Sequence, residues 1–242
     1  MATGTDHNGN PTPTIPGKQA LVRDRLMDLL DRLEIKASVL LNSEVCEHYP
    51  QIVDAGVQRG WAWLGHGQTN STFQADMGLD EERVYLTRMH EVIAEATGTS
   101  PRGWLGPALT ETFNTPSLLA ELGYRYLLDW CNDDQPYPLT VPGMISVPYS
   151  LDINDITLFV GRNLSGDDYV RAVLDALDQL IEDSDADNGR VMALPVHPFI
   201  VNQPSRHRYL ARVLEEVRAR DAVWLTTSDA IADHYVATKE PS

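Results

Sequence analysis

Two histidines close apolar runs in this chain, His66 in WAWLGHGQTNS and His197 in ALPVHPF. Near neutral pH an imidazole can take up a proton, release one or bind a metal ion. Three further runs stop in the same abrupt way: GWLGP behind Arg102, LLDWCNDDQP with Asp129, Asp133 and Asp134, and SVPYS. Taken singly, a histidine at a strand end is more often a hydrogen-bonded structural residue than a catalytic one. Two of them on separate strands of one sheet shift that balance, because one rim would then hold two proton-carrying groups. The other five, His7, His48, His90, His207 and His234, fall in the N-terminal stretch or on expected helices and read as surface residues.

The remaining candidates are carboxylates and rings. Asp133 and Asp134 precede Pro136, a pattern that points to a turn or cap, whereas Asp129 is placed to act on or orient a rim group. Tryptophans on strands usually serve packing. Trp104 stands out because Arg102, Gly103 and Gly106 flank it and glycine permits close backbone approach. Arg102, Trp104, Trp130 and Asn70 are therefore the expected substrate contacts.

Helical and extended patterns alternate along the chain and must hold these groups. KQALVRDRLMDLLDRLE (18–34) carries leucines on one helical stripe with charges opposite, and KASVLLNS (36–43) reads as a buried strand. Helices are expected over 44–58, 80–97, 116–122, 167–182, 206–219 and from Ser228, a candidate N-cap. Strands are expected at 61–67, 103–107, 124–130, 145–150, 191–198 and 223–227. Seven strands separated mostly by helices imply an α/β fold with a parallel sheet, at this length a closed or distorted barrel, whose strand C-termini meet at one rim. Residues 1–17, rich in Gly, Pro, Thr and Asn, read as an extended arm; 18–236 as one barrel domain; 237–242 as a tail.

Composition narrows the function classes. Nineteen Lys and Arg against 35 Asp and Glu give a formal charge of −16, which repels phosphate backbones and anionic membranes and makes nucleic acid and membrane poor partners. The two cysteines, Cys46 and Cys131, form no CxxC pair, so neither a disulfide framework nor a thiolate zinc cluster is expected. No secretory signal and no apolar run of ~18 residues is found, and a cytoplasmic protein is expected.

The ordered blocks GHGQTNS, RGWLGPALTET, LDWCNDDQPY, ISVPYS and LPVHPFI resemble those of the polysaccharide deacetylases of the NodB-homology, carbohydrate esterase 4-like kind. Within that family the branch they resemble holds metal-independent allantoinase and cyclic imidase relatives. The resemblance covers most of residues 18–236 and implies a distorted (β/α)7-type barrel. It maps a family H-x-x-x-H metal segment onto His66-Gly67-Gln68-Thr69-Asn70, with an amide at the second position. An amide oxygen is a poorer zinc ligand than imidazole, so His66, with Asn70 at most assisting, implies a weakly bound divalent metal or chemistry without one. The family's Leu-x-His block resembles Leu194-Pro195-Val196-His197, one residue longer, and implies that His197 is the general acid. Family members also carry an acidic block on a first strand, where this chain has PTPTIPGKQA with no carboxylate between Asp6 and Asp24. The first strand is expected to be missing or replaced.

Two functions follow. One is a hydrolase of non-peptide carbon–nitrogen bonds, removing an acetyl group from an amino sugar or opening a small cyclic amide, with His197 protonating the leaving nitrogen. The other is a catalytically silent barrel that binds a ligand or serves as an oligomeric scaffold. A barrel short of one strand exposes unpaired backbone along a seam. Either the segment PTPTIPG or a second copy of the chain would cover it, and a homo-oligomer is expected.

Overall fold

The computed structural model describes residues 18–185 and 188–239, and the expected arm at 1–17 lies outside them. Helix α1 (Lys18–Arg32) leads into β1 (Ser38–Leu41). The expected helix at 44–58 is two helices, α2 (Ser43–His48) and α3 (Pro50–Gln58). Pro50 has no N–H to continue α2 and drives Tyr49 out of the helical region, to φ −138° and ψ 52°. After β2 (Ala62–Gly65) come α4 (Leu79–Thr97), β3 (Gly103–Trp104), α5 (Thr115–Glu121) and β4 (Tyr126–Leu127). Next are β5 (Tyr137–Pro138), β6 (Ile145–Ser146), a π-helical turn at Ile156–Gly161, α6 (Gly166–Glu182), α7 (Pro198–Val201), α8 (His207–Arg218) and α9 (Ser228–Lys239).

The strands form one six-stranded sheet in the order β1-β2-β3-β4-β6-β5, parallel throughout except for the β5–β6 pair. This is the α/β, parallel-dominated fold that the alternation of elements predicts. β1 and β5 end the ladder on either side, so among the described residues the sheet is not closed by hydrogen bonds.

Two of the seven expected strands are absent, and each absence has a cause. Residues 191–198 contain Pro195 and Pro198, and side chains and single contacts hold them in place of a ladder: Val191 N–H donates to Asp134 O (2.8 Å) and Ala193 N–H to Ser150 Oγ (3.2 Å). Residues 223–227 are in no ladder; past their end Ser228 N–H meets edge strand β1 through the side chain of Ser38 (Oγ, 2.9 Å), where a ladder needs backbone partners. Trp224 is consequently 60% exposed. The N-cap also moves by one residue, since Ala230 N–H reaches Thr227 Oγ1 (3.4 Å) and Ser228 opens the helix itself. β5 was not expected; its Pro138 is tolerated because β5 is an edge strand.

Side-chain alternation divides the sheet into two dry faces. Ala62, Leu64, Leu105, Tyr126, Leu128, Ile145 and Val147 pack together with Ala232 of α9. Trp104, Leu127 and Met144 turn the other way, onto Leu86 of α4 and Leu118 and Leu119 of α5. A separate core joins α1, α6 and α8 through residues such as Leu29, Val173 and Val213. His66 follows Leu64 by two residues and so leaves the strand on the α9 side, above the first of these faces.

Candidate active site

β2 delivers His66 one residue past its end. The His66 N–H donates to Leu41 O (3.1 Å) and ring atom Nδ1 lies 2.6 Å from Leu105 O. A carbonyl can only accept, so Nδ1 carries the proton and Nε2 keeps its lone pair. Burial disfavours the imidazolium and lowers the His66 pKa; the Leu105 carbonyl opposes this, and nearby His197 lowers it further. Gly67 then turns the chain at φ +68°, where a Cβ would meet the Tyr85 hydroxyl at 2.6 Å. That hydroxyl accepts the Gln68 N–H at 2.8 Å, which explains why the approach is so close.

His197 stands at the start of α7, and buried Asp155 holds it twice. The His197 N–H donates to Asp155 Oδ2 (2.7 Å) and Nδ1 to Oδ1 (2.6 Å), which points Nε2 away from the carboxylate. Asp155 lies just ahead of the π-helical turn, its own N–H on Pro195 O (3.3 Å). Phe199 packs edge-on to the His197 ring, 5.7 Å between centroids, and is 63% exposed.

Beyond β3 and β4 lies a carboxylate pair. Asp129 Oδ1 accepts Gly106 N–H at 2.7 Å, and Oδ2 is buried with no hydrogen-bond partner. Burial raises the Asp129 pKa well above the usual carboxylate range; the Gly106 bond opposes that, and Glu111 adds to it. The Glu111 pKa is also raised, by burial first, with nearby Trp130 opposing and Glu82 adding to the shift, and its Oε2 is buried without a partner. The loop between them, Pro107–Leu109, holds Ala108 and Leu109 at φ +54° and +59°, left-handed backbone that costs of order 1–3 kcal/mol per non-glycine residue. Tyr149 links the two ends of the rim: burial chiefly raises its hydroxyl pKa, with further contributions from Asp155 and Asp129, and it accepts from Asn154 Nδ2 (3.1 Å).

His66 and Asp129 follow the C-terminal ends of β2 and β4, and His197, at the start of α7, is among the groups that lower the His66 pKa. Trp130, next to Asp129, is 43% exposed. Asn70 sits exposed in the turn beyond His66. Arg102 precedes β3, at the opposite end of the strand, and forms an ion pair with Asp233 of α9. Trp104 is fully buried on the α4–α5 face, edge-on to Tyr124 at 6.0 Å. Asp133 is the turn residue expected, with Oδ1 accepting Gln135 N–H (2.9 Å). His90 and His207 are half-buried, not surface residues, His90 against Tyr124 and His207 on Asn202 Oδ1 (2.6 Å). Sequence reasoning missed Asp155, Glu111 and Tyr149. Asp155 lies 42 residues ahead of its histidine, and no spacing rule links them.

The donors do not fit a tetrahedral zinc centre. Among the described residues no three His, Cys, Asp or Glu side chains are grouped to hold a metal ion. His66 has one ring nitrogen left, and its sequence partner Asn70 lies in the exposed turn.

Residues 17–127 match the family model described as "Polysaccharide deacetylase". A putative polysaccharide deacetylase of Schizosaccharomyces pombe is 24% identical over 235 residues, which is 88% of this chain and 72% of that protein. The crystal structure of PuuE allantoinase superposes with a TM-score of 0.82 at 27% identity, covering 91% of this chain and 74% of that one. A probable polysaccharide deacetylase from Pseudomonas aeruginosa PAO1 gives the same four values. The order of the motif blocks, the parallel sheet and these matches agree: residues 17–127 are similar to the polysaccharide deacetylase family, and allantoinase-like proteins are among the structural neighbours of the chain.

Proposed function

We propose that this protein hydrolyses a non-peptide carbon–nitrogen bond in a small amide, either an N-acyl group on an amino sugar or a cyclic amide, using two histidines of unlike protonation. The observation that carries the reading is the buried Asp155 bridging the backbone and Nδ1 of His197. It fixes the ring with its proton on Nδ1 and leaves Nε2 to serve the substrate, as an orienting carboxylate does in acid–base catalysis generally. His66, with its proton on Nδ1 and its basicity reduced by burial, stays neutral near pH 7 and offers the Nε2 lone pair as a base.

In the reaction, water loses a proton to His66 Nε2 as its oxygen attacks the amide carbon. The carbon–nitrogen bond then breaks as His197, entering the step as the imidazolium with Nδ1–H on Asp155, gives its second proton from Nε2 to the leaving nitrogen. A net transfer of the first proton to the second site restores both rings, and the products are a carboxylic acid and an amine. Asp129 enters as a positioning residue that holds Gly106, and with it the Pro107–Leu109 loop, against the rim. The similarity of residues 17–127 to the polysaccharide deacetylase model supports the bond class, and the allantoinase-like neighbours support the small-amide branch.

The test compares wild type with H197A and H66A on N-acetylated amino sugars and on a cyclic amide such as hydantoin, scoring acetate release and ring opening. Turnover by wild type that falls at least a hundredfold in H197A supports the assignment. No turnover on the whole panel, with retained ligand binding, favours the silent-barrel reading. The reading goes with a cytoplasmic enzyme that works as a homo-oligomer, which light scattering of the full chain would test. Among the described residues no helix is long and apolar enough to cross a membrane.

A further inference from the structure

The acidic end of the rim has a chemistry that the hydrolytic mechanism leaves unused. Asp129 spends one oxygen on the Gly106 N–H, and Asp129 and Glu111 each keep an oxygen buried without any partner. Leaving a buried carboxyl oxygen unmatched is costly, and native proteins rarely do so without a reason. The charged side chains that act on the pair are themselves carboxylates, Glu111 on Asp129 and Glu82 on Glu111. Asp129 in turn acts on Cys131 and Tyr149, neither of which carries positive charge. What would match the pair is therefore a cation from outside the chain, and half-exposed Trp130, next in sequence to Asp129, supplies an aromatic ring nearby.

We propose that Asp129 Oδ2 and Glu111 Oε2 receive a protonated nitrogen group of the substrate, an amidinium, guanidinium or ammonium, so that the amide cleaved at the histidines belongs to a cationic molecule. The word substrate rests on the hydrolase reading above; the cation site itself does not. An N–H donor of such a group forms charge-assisted hydrogen bonds to carboxylates, which outweigh neutral ones by about twofold. The amide carbon would then lie between this anchor and the His66–His197 pair, with Tyr149 along the connecting wall.

Binding of acetamidinium and of its neutral counterpart acetamide to the full-length protein, by calorimetry at pH 7.5, tests the site without any turnover. Acetamidinium is expected to bind at least tenfold more tightly than acetamide. D129N and E111Q should each erase that preference, while H197A keeps it. Binding should also release protons, seen as a heat that differs between phosphate and Tris buffers, because the cation drives a carboxyl that holds its proton unusually high to give it up. Equal affinity for the two probes in wild type would overturn the proposal, as would a preference that survives both substitutions. If either variant fails to fold, the wild-type preference and its proton release still decide. A cation preference with no hydrolysis of any amide would uphold the site and refute the hydrolase. Hydrolysis of neutral amides without the preference would do the reverse.

Discussion

Replacing Asp155 by asparagine changes one atom type in a fully buried side chain and tests the arrangement most directly. Asn can still accept the His197 backbone N–H through its oxygen, but its other terminus is an NH2 that faces Nδ1, now donor against donor. The ring must lose its Nδ1 proton or turn away. A hydrogen bond to a charged acceptor is worth about 1.5–3 kcal/mol, and only one of the two is lost, so D155N should be destabilised by about 1.5–3 kcal/mol. For a chain of this size that lowers Tm by about 3–12 °C at ~2–4 °C per kcal/mol. The rate effect is separable: moving the proton to Nε2 leaves a ring without its orienting carboxylate, and loss of general acid–base help costs about 10²–10⁴-fold in kcat. Urea unfolding gives the stability, and nitrogen-15 NMR of the imidazoles reports the tautomer. A D155N protein within ~0.5 kcal/mol of wild type that keeps its Nδ1 proton would refute the coupling of Asp155 to His197.

Other outcomes follow from the same geometry. His66 should titrate below the ordinary value of 6.5, so its charged form appears only at lower pH. Because the unfolded chain takes up that proton first, this site's contribution to stability is complete above 6.5 and declines as pH falls toward the folded value, and H66Q should flatten that slope in a series of unfolding curves. W104A should cost about 3–5 kcal/mol, the range for emptying a fully buried ring, while W104F leaves ligand affinity unchanged; a loss of affinity in W104F with intact stability would put the ring back in the site. R102A removes a half-exposed ion pair far from the rim, so it should change stability by less than ~1 kcal/mol and leave kcat/KM within twofold. A Cβ at Gly106 would run into the Thr110 carbonyl, so G106A must shift the loop that Asp129 holds and should reduce kcat even where the protein remains folded, as kinetics and circular dichroism together would show.

Much of this molecule is dictated locally. The leucine stripe of α1, the apolar run of β1 and the punctuation around β2 and α4 are patterns of period 3.6 and 2 that need no distant partner to be read, and they specify an α/β chain with a parallel sheet. The placement of His66 past the end of β2 is legible for the same reason, whereas His197 sits at the start of α7 and not at a strand end. Other features depended on contacts between distant segments. Residues 223–227 look like a strand in sequence yet join no ladder, because pairing needs a neighbour's backbone in register and no local pattern says whether that is present. Trp104 and Arg102 looked like site residues by adjacency, but alternation turned one into the α4–α5 core and strand polarity put the other at the far end. Asp155, Glu111 and Tyr149 were invisible because their roles come from hydrogen bonds and fields across the rim. Whether a carboxyl group is buried, paired or left with an open oxygen is a property of the packed environment, which only the tertiary structure decides.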